Sequence, residues 1–76
     1  MEIELQLKEG DSIEVHGWVM LKGLSAGKWR VKSVEIRGSD AIYSLVKYRG
    51  SVVWRYWYRQ IENCIHNNGL NRIEKL

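Results

Sequence analysis

Hydrophobic and polar residues alternate along most of this chain, with the period of two that marks a strand with one buried face. Ile3, Leu5 and Leu7 alternate with Glu2, Glu4 and Gln6, and "EGD" at 9–11 predicts a turn. Ile13 and Val15 open a second run that extends toward Val19 and Leu21, with Gly17 as a bend or bulge. "GLSAG" at 23–27 reads as a loop. In "KWRVKSVEI" Trp29 and Val31 share one parity while Val34 and Ile36 share the other, which predicts a β-bulge or tight bend near Lys32–Ser33. "RGSD" at 37–40 is the next turn. "AIYSLVKY" is a strand, "RG" at 49–50 a tight hairpin connection, and "SVVWRYWYR" the returning strand.

The tail, "QIENCIHNNGLNRIEKL", fits one helical turn near residues 60–66 with Ile61 and Ile65 on one side. The residues after "NNG" fit a short last strand or a second helical turn through Leu70, Ile73 and Leu76 equally well. Short strands every 8–12 residues or so, with glycine-rich turns and no long helical pattern, predict an all-β fold. In so short a chain that means a small five-stranded antiparallel barrel, a bent sheet closed on itself.

The order of features resembles the SH3-like small barrels, including their KOW and Tudor-like branches. "EGDSIEV" looks like their opening strand, "GKWRVKSVEI" the strand after it, and "AIYSLVKYRGSVVWRYW" their central hairpin. The resemblance covers residues 9–66 and is one of pattern. It implies a binding module for nucleic acid or peptides, by analogy, since a fold does not by itself fix a function.

At 76 residues the chain is expected to form a single domain. A domain of that size buries only about 60% of its unfolded surface, so its core must be dense in large side chains. The chain has four Trp, four Tyr and no Phe, so every ring brings a polar group that needs a partner if buried. Eight such rings exceed what this core can satisfy, and some are expected at the surface. Cys64, the single cysteine, allows no intrachain disulfide. The start lacks the pattern of a signal peptide, and no run approaches the roughly 18 apolar residues of a membrane span. A cytoplasmic chain with no membrane association, monomeric or weakly dimeric, is the expectation.

Charge sharpens the picture. Residues 1–14 hold five acids and one base, whereas residues 28–59 hold eight bases against Glu35 and Asp40. Seven of the eight aromatic residues lie in that basic stretch, all except Trp18. Such asymmetry bears on partners and steering.

The candidate chemistry centres on "VVWRYWYRQ". In a strand Val52, Trp54, Tyr56 and Tyr58 form an uncharged face that reads as the core side, while Val53, Arg55, Trp57 and Arg59 face solvent. A two-residue turn at 49–50 would set Trp57 across from Ile42 and Arg59 across from Asp40, whereas a three-residue turn would shift these pairs by one and leave the split of the strand unchanged. An exposed indole between guanidinium groups suits stacking on an unpaired base, with the arginines on phosphates. It equally suits the hot spot of a protein interface. The plainer alternative is a ring held between arginine stems to cover a sheet. In "KWRVK", Lys28, Arg30 and Lys32 share a parity and can follow a phosphate backbone, provided that strand and the hairpin share a face.

Other motifs are weaker. "GLSAGKW" has three residues between its glycines where a phosphate loop has four, and Trp follows its lysine. Cys64 with His66, and His16 far upstream, are too sparse for a structural zinc site or a nucleophile pair. No metal or cofactor site and no enzymatic activity are expected.

The leading expectation is nucleic-acid binding, to DNA or RNA. Lys28, Arg30, Lys32, Arg55 and Arg59 would capture phosphates, and Trp57 would stack together with Trp29 or Tyr48. The rival is a protein-interaction module, such as a small inhibitor or adaptor encoded by a phage or mobile element, using the same face.

Overall fold

The computed structural model of the chain describes residues 4–76. The described elements are β1 (Ser12–His16), β2 (Gly27–Arg37), β3 (Asp40–Lys47), β4 (Val53–Trp57), α1 (Tyr58–Ile65) and β5 (Arg72–Lys75). The strands form one antiparallel sheet in the order β4-β3-β2-β1-β5, so the last strand returns beside the first. Among the described residues β4 and β5 are edge strands, and the sheet is not a hydrogen-bonded closed barrel. No described helix is long and apolar enough to cross a membrane.

The parity switch in "KWRVKSVEI" has the expected cause. Val31 pairs with Leu45 and Ser33 with Ser44, leaving Lys32 as the extra residue of a bulge. Trp29 and Val31 point inward before it, and Val34 packs against the core after it. The β3–β4 register agrees with the reading of the hairpin: Ile42 faces Trp57, Ser44 faces Arg55 and Val46 faces Val53. The connection occupies residues 48–52 rather than two residues, with Arg49 at φ 66°.

The expected first strand is corrected. Glu2 and Ile3 lie outside the described residues, and residues 4–11 are not strand. Leu7 is nevertheless buried and Leu5 packs on the core. Side chains take three of the segment's amides: Gln6 N–H donates to Glu62 at 3.1 Å, Leu7 N–H to the Tyr43 hydroxyl at 3.4 Å and Lys8 N–H to Asp11 at 2.9 Å, while the Gly10 amide donates to the Val31 carbonyl on β2 at 2.9 Å. The fifth strand is instead Arg72–Lys75, which settles the open reading of the tail.

The returning strand is also shorter than expected. Val52, expected on the core side, instead precedes the strand in the connection and is exposed, and the chain turns into α1 at Tyr58. Gln60 accepts a hydrogen bond from the Trp57 amide at 3.2 Å, holding the first helical turn. Ile61 buries fully, with Tyr58, Cys64 and Ile65 packed beside it, and α1 lies against β3, β4 and β5.

The core joins Leu7, Ile13, Val15, Leu24, Trp29, Val31, Tyr43, Leu45, Ile61 and Ile73. Full burial of such aliphatic side chains stabilises by about 1.5–3 kcal/mol each. The buried rings have the partners they require. Trp29 Nε1–H donates to the Ser25 carbonyl at 2.8 Å, the Tyr43 hydroxyl to Glu62 at 2.7 Å, and the Tyr56 hydroxyl to the Lys22 carbonyl.

Candidate functional site

Side chains of directly paired residues project from the same face of a sheet, so the register maps the outer surface. One row runs Trp57–Ile42–Glu35, the next Arg55–Ser44–Ser33, and a third Val53–Val46–Arg30–Ser12. Lys28 follows beside Glu14. The β2 cations and the Trp57–Arg55 pair therefore share a face, the condition on which a joint binding surface depends. Lys32 is exposed at the bulge beside Ser33, where the outward parity changes from even to odd.

Trp57 is 46% exposed at the edge of this face. With Ile42, Arg55 and Tyr56 it lines an open depression of about 170 Å³. That is below the 300 Å³ or so where small-molecule pockets begin, and it suits a flat group laid on a surface. Tyr48 is exposed, and its hydroxyl lies 2.8 Å from Ser12 Oγ, which carries the ring across β2 toward β1 and Arg30.

Trp29 does not belong to the surface. It is 2% exposed and its indole N–H is spent on Ser25, so it cannot stack on a partner. Its parity, opposite to that of Lys28 and Arg30, was the signal. Arg59 lies in α1 rather than in the strand, yet it meets Asp40 with its Nε at 3.1 Å, the partner the hairpin register anticipates. The hydrogen bond to that carboxylate raises the pKa of the guanidinium.

Acids temper the positive charge along the hairpin edge. Glu35 accepts from Arg37 at 2.8 Å and from Arg55 at 3.1 Å. These pairs are exposed and individually worth about 0–1 kcal/mol, so the arginines can exchange to another anion at little cost. Among the described residues Lys28, Arg30 and Lys32 make no ion pair. The role of Glu35 escaped the sequence because it depends on the register beyond the bulge.

A second exposed apolar group also escaped. Trp18, Met20 and Leu70 are 69%, 75% and 86% exposed on two loops tied together by the Trp18 amide, which donates to Asn71 at 2.9 Å. Cys64 is half-buried, and burial pushes its thiol pKa up, away from nucleophilic use. Compared with known proteins, the chain matches no family model, no curated protein and no solved structure.

Proposed function

We propose that this chain is a small SH3-like β-barrel module that binds single-stranded nucleic acid on the outer face of β2, β3 and β4. The return of β5 beside β1, with one short helix between β4 and β5, supports the barrel reading. The observation that carries the function is the register, which sets Lys28, Arg30, Arg55 and the exposed Trp57 on one face. Unpaired bases can reach the indole, whereas bases within a duplex present only their edges, so single strands fit this surface best. Lys28, Arg30 and Lys32 take the backbone, Arg55 and Arg59 add to it by leaving their carboxylates, and Tyr48 offers a second ring.

The rival is a protein interface on the same face. The pairing of Arg55 with Glu35 and of Arg59 with Asp40 favours it, because such pre-compensated arginines around an apolar hollow are suited to a mixed protein surface.

Binding of single-stranded oligonucleotides, measured across a salt series, separates the two. Affinity should fall with log[salt], and Lys28→Ala with Arg30→Ala should lower the slope by about 0.7 for each phosphate no longer neutralised. Trp57→Ala should weaken binding by about 1–3 kcal/mol and leave the slope unchanged, because stacking releases no counterions. Its fold should change by no more than about 0.5 kcal/mol. No oligonucleotide binding even at low salt would overturn the proposal. Loss of a protein partner by about 2 kcal/mol on Trp57→Ala, with weak salt dependence, would establish the rival.

A further inference from the structure

We propose a divalent transition-metal site on the outer face of β1 and β5, formed by Glu14, His16 and Glu74. One ligand atom from each of these residues lies within 4.8 Å of the other two. The register produces this cluster. Glu14 and Glu74 are direct partners across the β1–β5 pair, and His16 stands two residues along β1 on the same face. Carboxylates placed directly opposite one another repel and weaken the pairing. An ion held between them reverses that effect.

The local cations do not fill this role. Arg72, the β5 partner of His16, donates to the Gly69 carbonyl at 3.2 Å. Lys28, the β2 partner of Glu14, makes no ion pair among the described residues.

His16 and Glu74 form a long hydrogen bond, and its length also matches the spacing of two ligands on one ion. His16 Nε2 and Glu74 Oε1 are 3.3 Å apart. A charge-assisted N–H···O bond is shorter, about 2.7–2.9 Å. Adjacent donors around a tetrahedral ion with bonds of about 2.0–2.1 Å stand about 3.3–3.4 Å apart. The Glu14 carboxylate, within 4.8 Å of both, would have to rotate inward to become the third donor, with water filling the solvent side of the shell. One imidazole with two carboxylates suits a borderline ion such as Zn²⁺, while Mg²⁺ and Ca²⁺ favour all-oxygen shells with more ligands. Bound there, the ion would fasten the four-residue last strand to the first.

The test uses the full chain, stripped with a chelator and titrated with ZnCl₂ at neutral pH by calorimetry and thermal unfolding. One zinc should bind per chain and raise Tm, and Mg²⁺ or Ca²⁺ at the same concentration should not. His16→Ala and Glu74→Gln should each weaken zinc binding at least ten-fold. Glu74→Gln removes a like-charge contact, so without zinc it should unfold no more easily than the parent, which separates lost binding from lost fold. Cys64→Ser with His66→Ala should bind zinc as the parent does. No binding up to millimolar zinc would overturn the site. So would unchanged affinity in His16→Ala and Glu74→Gln, or its loss in the Cys64/His66 variant.

Discussion

Tyr43 holds together two parts of the chain that share no strand pairing. Its ring is fully buried, its hydroxyl donates to Glu62 on α1, and the Leu7 amide donates to that hydroxyl from the N-terminal segment. Glu62 in turn accepts from the Gln6 amide. Tyr43→Phe keeps the ring and removes the joint, leaving the Leu7 amide and one carboxylate lone pair without a partner. The expected cost is about 1–2 kcal/mol, read from the urea midpoint with the slope unchanged. This network was invisible in the sequence. Composition requires a partner for a buried phenol but cannot say that one carboxylate, some 19 positions away, serves both it and the chain's start.

At the scale of elements, the loop before β2 is fitted to the hairpin through Gly23. Its φ is +83°, and a Cβ there would stand 2.5 Å from the Trp54 ring. Gly23→Ala therefore meets backbone strain and an aromatic wall together, and should cost about 2 kcal/mol or more in chemical denaturation. Trp54→Leu in that background should recover part of the loss by making room for the methyl group. The glycine was legible as a loop residue, but not as the floor under a tryptophan. Such close approach is a property of two segments that meet only in the fold. The bulge at Lys32 differs in this respect, because a switch of hydrophobic parity within a single strand is written locally.

Across the whole molecule, buried titratable groups set how stability responds to pH. Burial, aided by the Glu62 hydrogen bond, raises the pKa of Tyr43 far above its ordinary value, and burial raises those of Tyr56 and Cys64. In the unfolded chain the thiol ionises near pH 8.5 and the phenols near pH 10. The unfolded state thus gives up protons that the fold retains. Stability from these groups is complete below those values and is lost as pH rises through the higher folded-state ones. Alkaline denaturation should begin above about pH 8.5 and steepen past pH 10. The first part should vanish in Cys64→Ser and the second should lessen in Tyr43→Phe, as followed by circular dichroism.

Local pattern was enough to specify the β class, the bulge and the division of the hairpin's rings. Each comes from a period of two acting over neighbouring residues. Trp29 could have been assigned inward on the same ground, since its parity opposes that of the cations around it. Only the folded chain established that Leu5 and Leu7 pack without a strand, that a helix begins at Tyr58, and that the tail supplies β5. The fold also brought the cations of β2 and the hairpin onto one face, and gathered Glu14, His16 and Glu74 on β1 and β5. The physical reason is common to all of these. Alternation says which side of a strand a residue takes, but the identity of its neighbours depends on strand order and register, which are set by contacts between residues distant in sequence.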